Sequence, residues 1–359
     1  MKFLHLSDAR LGIHSESGRR WSNERIIEVT DTLRKTVHQA AAEGIQLVLI
    51  AGGLFAHRPV STELAEANNI FSAYPELTFV IIAGETDCIK SNSPVRSFKW
   101  AKNVRYVLSG RPEQIIIPAL KTVVYAESFT GNRANVSDLL MAGRQDTNEG
   151  YSKIALFYEP EPEKAGELDF SAFSYVALGG RKGYYMLSDD KAYYPGGLEP
   201  EEMSDGGEHG YIKGDIDTDT GLLTETIFVP AASASYVPLR VTVNTDTTAT
   251  ELEGIIENEI RRRGRSNIYR IRILGKRSPE TIFTLDTLKS RYRITDVSDE
   301  TEPQYDFAAI YEEHPQDIIG YFISTLTRNR EDMPDIDKKA MFYGIDALLK
   351  TSENGEVKK

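Results

Sequence analysis

Hydrophobic positions fall in two rhythms along the first half of this chain. Short apolar runs alternate with stretches where apolar residues recur at helical spacing. Lys2 to Leu6 reads as a strand. Trp21 to Gly44 carries Ile26, Ile27, Leu33 and Val37 at helical spacing, with Gly44 as a stop. Gln46 to Ile50 is a buried strand running into Ala51-Gly52-Gly53, Leu64 to Tyr74 a helix, and Thr78 to Ile82 a strand. After Val104 to Val107 the strands crowd together, at 114–117, 121–125, 153–158 and 175–178. Strands alternating with helices predict βαβ units and a sheet buried on both faces. The later crowding predicts a second sheet packed on the first.

Gly206-Gly207 and Asp215 to Thr220 read as turns, and Pro230 to Pro238 as an uncharged linker. A small α/β unit follows: strand 239–243, helix 249–263 and strand 269–274. Two amphipathic helices close the chain, 317–327 and 337–350, separated by Met333-Pro334-Asp335 and followed by a frayed tail from Ser352. The expected division is 1–236, 237–303 and 304–359.

Composition narrows the classes. The 359 residues hold 40% hydrophobic and 27% charged residues, enough for more than one packed core. The net charge of −12 argues against a protein that coats nucleic acid over its whole surface. The charge is uneven: residues 240–295 hold 12 basic and 7 acidic side chains, whereas 296–359 hold 7 and 15. A basic island thus sits in an acidic chain. Cys88 is the single cysteine, so no intrachain disulfide forms. The N-terminus lacks the apolar run of a signal peptide, and no apolar stretch reaches membrane-spanning length; the expectation is a cytoplasmic protein.

Several strand ends carry the residues that such folds use for chemistry. They are Ser7-Asp8-Ala9-Arg10, Gly52-Gly53-Leu54-Phe55-Ala56, Gly84-Glu85-Thr86-Asp87, Leu156-Phe157-Tyr158, Ala177-Leu178-Gly179-Gly180-Arg181-Lys182 and Tyr194-Pro195-Gly196-Gly197. In order and spacing, these turns over about residues 1–235 resemble the calcineurin-like metallophosphoesterases, specifically the SbcD-type DNA repair exonucleases and their YhaO-like relatives. The resemblance implies a four-layer αββα sandwich with a small α/β cap and a helical tail. It also implies a homodimer through first-domain helices, a C-terminal segment that holds an SbcC-like ABC-type ATPase, and a cap that touches DNA.

The family's two-metal chemistry needs carboxylates and neutral imidazoles as ligands. Matched turn by turn, Asp8 is retained. Arg10 stands where the family has a His ligand, and Gly53 where it has the bridging Asp. Glu85 replaces an Asn ligand and Thr86 the His that assists the leaving group. Tyr158 replaces the lone His, and Gly180 and Lys182 the final two. A guanidinium ~4 Å from a divalent ion would be repelled by roughly 8 kcal/mol at an effective dielectric near 20. The expectation is therefore a catalytically degenerate homologue with no metal, a scaffold or regulatory subunit for the ATPase on DNA. The alternative is a Mn2+-dependent exonuclease or phosphodiesterase with rearranged ligands, among them Asp8 and Glu85.

For the surviving residues two readings stay open. Asp8 pairs with Arg10 or Lys182 and holds the pocket shut, or Arg10, Arg181 and Lys182 bind a phosphate without cleaving it. His57 and Arg58 read as solvated loop residues, His5 as a core histidine and Asp87 as a turn-stabilising carboxylate. Cys88 reads as buried rather than reactive. Arg261, Arg262, Arg263 and Arg265 either solvate a helix end, where cations suit the dipole, or contact DNA phosphates. Arg270 and Arg272 alternate with apolar residues, as on a solvated strand face.

Overall fold

A computed structural model describes residues 1–131, 136–187, 191–327 and 335–355. Contacts divide the chain into two units, Met1–Tyr236 and Val237–Lys359.

The first unit is built on two six-stranded sheets. One contains β1 (Lys2–Leu6), β2 (Leu47–Ala51), β3 (Thr78–Ile82), β4 (Val104–Tyr106), β11 (Gly210–Asp217) and β12 (Leu222–Pro230), in the order β12-β11-β1-β2-β3-β4. The other contains β5 (Glu113–Ile117), β6 (Thr122–Ala126), β7 (Ser152–Tyr158), β8 (Tyr175–Gly179), β9 (Tyr185–Met186) and β10 (Ala192–Tyr194), in the order β5-β6-β7-β8-β10-β9. β1 to β4 run parallel, as do β6, β7, β8 and β10.

The continuous apolar runs resolve into a period of two, because each central strand buries both faces. Val48, Ile50, Phe79 and Ile81 face α1 (Ser22–Ala42) and α2 (Ser61–Ser72), meeting Leu33, Val37, Leu64 and Phe71. Their alternates Leu49, Ala51, Val80 and Ile82 meet Val124, Ile154, Leu156 and Ala177 of the second sheet. The far face of that sheet packs Val123, Phe157 and Val176 on Leu139 and Leu140 of α3 (Val136–Arg144) and on Ala165 of α4 (Pro162–Gly166). The result is the αββα sandwich.

Two stretches differ from the sequence expectation. Asp215–Asp217, read as part of a turn, ends β11, which pairs antiparallel with β1 and β12. Lys213, Gly214 and Asp215 hide this strand's alternation. Gly214 stands opposite Phe3, and a Cβ there would lie 2.2 Å from the Phe3 ring, so glycine makes room for the aromatic. Pro230 to Pro238, read as a linker, contains the end of β12 and the start of β13 (Tyr236–Val243).

The second unit joins β13, β14 (Ile268–Arg277), β15 (Ile294–Asp299) and β16 (Glu302–Pro303) into one small sheet. It is backed by α5 (Ala249–Arg263) and α6 (Asp286–Arg291). Thr248 caps α5 with a capping box to Glu251. Leu252, Ile256 and Ile260 of α5 pack on Tyr269, Ile271 and Ile273. The helices α7 (Phe307–Glu313), α8 (Ile318–Thr327) and α9 (Asp335–Gly355) share a separate cluster of Ile319, Ile323 and Ile345. Met333 and Pro334, expected to separate the last two helices, lie outside the described residues. No helix of the described residues is long and apolar enough to cross a membrane.

Candidate functional site

Parallel strands deliver the six turns to the carboxyl ends of the two sheets, where loops of different strands converge. The turns after β1 and β2 are zipped by backbone bonds: Asp8 N–H donates to Gly52 O (2.9 Å), Arg10 N–H to Gly53 O (3.0 Å) and Leu11 N–H to Leu54 O (2.9 Å). Asp8 and Arg10 adopt left-handed φ values of 48° and 55°. Non-glycine residues there store of order 1–3 kcal/mol each, so the surrounding contacts must hold them.

Those contacts are charged. Arg10 Nη2 lies 3.1 Å from Asp8 Oδ1, and Arg10 Nε 2.9 Å from Glu201 Oε1. Asp8 is 5% exposed, and neither of its oxygens makes an aligned hydrogen bond, so the pairs are held by charge more than by geometry. Burial pushes the Asp8 carboxyl up to about 6 against the pull of Arg10. For the Arg10 guanidinium burial works downward, but Asp8 and Glu201 outweigh it and leave it above its ordinary value.

Tyr158, at the end of β7, fills the centre. Cβ atoms built at Gly52, Gly84 and Gly180 would lie 2.9, 2.7 and 3.0 Å from its ring. Gly53, at φ +65°, backs onto Asp8: a Cβ there would lie 2.3 Å from Asp8 Oδ1. The space of a bridging side chain is thus already taken. What remains, lined by Asp8, Arg10, Gly180, Arg181, Lys182 and the 197–209 stretch, is about 20 Å³, room for roughly one water molecule.

Lys182 is paired as well, with Glu202 Oε1 at 2.5 Å and Asp205 Oδ1 at 2.9 Å. The Glu202 hydrogen bond comes first among the causes that hold its ammonium above its ordinary range. The Arg181 guanidinium lies 4.5 Å over the Tyr185 ring, and its Nε is buried with no hydrogen-bond partner among the described residues. The structure sets Glu201, Glu202 and Asp205 beside these cations as well as Asp8, so the cleft carries no excess of positive charge. Glu85 is exposed, with its backbone against the Tyr158 hydroxyl, and Thr86 Oγ1 donates to Phe55 O (2.8 Å).

These residues do not fit the paired ions of the resembling family. Two such ions need shared anionic ligands to offset their repulsion, and here a guanidinium occupies the carboxylate's side while a phenol ring fills the middle. Among the described residues, no group of three or more His, Cys, Asp or Glu is arranged to hold a metal.

No family model matches the chain, and no curated protein matches it. Among solved structures, TT1561 of Thermus thermophilus is similar at 16% identity, covering 63% of this chain and 98% of that one, with a TM-score of 0.38. At that level no residue's role passes from one chain to the other, and the site rests on its own geometry.

A buried ion network beside the pocket escaped the sequence reading. Arg25 of α1, fully buried, donates to Glu199 Oε2 (2.8 Å), Pro200 O (3.0 Å), Ser233 Oγ (3.2 Å) and Glu28 Oε2 (3.2 Å). Glu199 also accepts from Thr32 Oγ1 (2.5 Å) and from Ser233 N–H (2.7 Å). The signal was an arginine on the apolar stripe of α1; its partner lies 174 residues away.

The remaining candidates have structural places. Asp87 accepts from the N–H groups of Gly84 (2.7 Å), Gly53 (3.2 Å) and Phe55 (3.4 Å), so it pins the glycine turns together. His5 is buried beside the Tyr175 hydroxyl (2.9 Å), and burial lowers its pKa to about 3. His57 is partly exposed, 3.5 Å from Glu63, and Arg58 is exposed. Cys88 is half-buried, and burial raises its thiol pKa. At the end of α5, Arg261 pairs with Glu257 (3.0 Å), while Arg262 and Arg263 pair with Glu259 (2.6 and 3.1 Å). Arg265 lies 5.4 Å over the Tyr292 ring. Arg272 pairs with Glu300.

Proposed function

We propose that this chain is a catalytically silent relative of the SbcD-type metallophosphoesterases, acting as a homodimeric scaffold or regulatory subunit for an SbcC-like ABC-type ATPase on DNA. The observation that carries the silent part is Arg10, held between Asp8 and Glu201 at a position where the family places a metal ligand. Thr86 offers no imidazole for a leaving group, and Tyr158 fills the space in which a bound hydroxide would form.

The scaffold part rests on the order of the six turns and on the two-unit layout. In this reading residues 237–303 meet DNA through Arg261, Arg262, Arg263 and Arg265, whose ion pairs exchange carboxylates for phosphates. Affinity then falls as salt rises, because phosphate contacts release counterions. Residues 304–359 hold the ATPase.

The test combines two assays on the full chain. Labelled single- and double-stranded DNA should remain intact in excess manganese. The DNA-stimulated ATP turnover of a co-expressed SbcC-like ATPase should change when this chain is added. Robust DNA hydrolysis that disappears in Asp8→Ala would establish the manganese-dependent exonuclease instead. No effect on the ATPase would remove the scaffold role.

A further inference from the structure

The segment 201–205 is a built loop. Asp205 Oδ2 accepts the N–H groups of Glu201 (3.0 Å) and Glu202 (3.2 Å), and Asp205 N–H returns to Glu202 O (3.0 Å). That folding aims the Glu201 carboxylate at Arg10 and the Glu202 carboxylate at Lys182. Before the loop, Glu199 and Pro200 are tied to Arg25; after it, Gly206 and Gly207 are exposed, and a Cβ on either would meet nothing within 4 Å. The loop therefore has a fixed root on one side and two open glycines on the other, with its backbone also held by the Tyr236 hydroxyl on Glu201 O (3.0 Å) and by His209 Nε2 near Asp205 O (3.4 Å).

Beneath it lie Arg10, Arg181 and Lys182, three cations from two turns on one cleft. The buried Arg181 Nε donates to no group among the described residues. Two guanidinium groups and an ammonium lining one cleft suit a tetrahedral oxyanion, with its several acceptor oxygens. In the closed structure the acceptors are the protein's own carboxylates.

We propose that the 201–205 loop is an internal anion that masks an oxyanion site of phosphate type formed by Arg10, Arg181 and Lys182. A phosphate group enters only as Glu201 and Glu202 leave, so occupancy of the site and position of the loop are coupled. With the loop shut, the cleft holds about one water and binds no phosphate. With both glutamates gone, the acids lining the cleft are Asp8, Asp205 and Glu199, the last of them already paired with Arg25. The inference rests on the reading that the pocket holds no metal pair.

Calorimetric titration of the full chain with inorganic phosphate at fixed ionic strength tests it. Glu201→Ala with Glu202→Ala removes both the charge and the volume of the mask while keeping Asp205 and its turn. The double variant should bind phosphate at least about tenfold more tightly than wild type, the scale of one charge-assisted contact. Adding Lys182→Gln, whose melting temperature is measured alongside to check that the fold is kept, should cancel most of that gain. Equal affinity in wild type and double variant, absence of binding in both, or a gain that survives Lys182→Gln would each overturn the masked site. Stoichiometric manganese in wild type would instead break the metal-free reading, and the two failures are read in separate titrations.

Discussion

Two charge clusters sit side by side in the first unit and solve opposite problems. Around Arg25, the ion pair is made of aligned hydrogen bonds: Glu199 receives Arg25, Thr32 and the Ser233 N–H, so that the helix, the 199–200 segment and residue 233 are locked together. Around Arg10, the ion pairs lack aligned hydrogen bonds, two residues sit at left-handed φ, and burial pushes the Asp8 carboxyl up to about 6. The first cluster has the character of a structural joint. The second has the strain typical of functional sites, on turns that resemble a catalytic centre, yet its charges face each other rather than a ligand. The comparison separates burial that fixes a fold from burial that fills a pocket.

The sharpest break of the comparison is Arg25→Met. It leaves Glu199 buried without its cation, and denaturant unfolding should show a loss of about 3–5 kcal/mol. Adding Glu199→Gln should recover part of that loss, since the stranded charge is then gone. A loss no larger than that of a surface substitution would mean that the joint is not a joint.

Gly53→Asp comes next. It restores the family's bridging carboxylate but places a Cβ 2.3 Å from Asp8 Oδ1 at φ +65°. The left-handed penalty and overpacking together predict about 2–4 kcal/mol of destabilisation. A stable variant that gains manganese would show that the pocket relaxes more easily than its packing implies.

Asp8 gives a signed pH dependence. Its folded pKa of about 6 lies above the ordinary 3.8, so the folded state holds its proton more tightly. The contribution of this group to stability is therefore complete below pH ~4 and is lost as pH rises through about 6. Asp8→Asn should flatten that limb and unfold at higher denaturant than wild type at pH 7, by up to roughly 3 kcal/mol. At pH 4 the two proteins should be alike. A wild-type curve that rises between pH 4 and 6 by as much as the variant's would contradict the buried carboxyl.

The smallest effect belongs to the second unit. Arg262→Ala removes a surface pair with the half-buried Glu259 and should leave the melting temperature unchanged. Its readout is DNA binding, where loss of a phosphate contact would lower both affinity and the salt slope.

Much of the fold was legible because parallel strands buried on both faces show as unbroken apolar runs, as at Leu47–Ala51 and Thr78–Ile82. The β11–β12 hairpin was not, since Gly214 makes space for Phe3 and carries no hydrophobic signal of its own. At the site, the turns were readable from residue order. The acids that neutralise Arg10 and Lys182 were not. Glu201, Glu202 and Asp205 follow no periodic pattern, and only the fold brings them within 3 Å of cations 20 to 191 residues away. What fills the space between those turns depends on contacts made across the fold.

The most direct test of this account is the manganese content of the purified full chain after incubation with excess Mn2+ and removal of the free ion, measured beside Asp8→Ala. The closed pocket predicts a trace of metal, the same in both proteins. A stoichiometric pair of ions per chain in wild type, lost in Asp8→Ala, would contradict it.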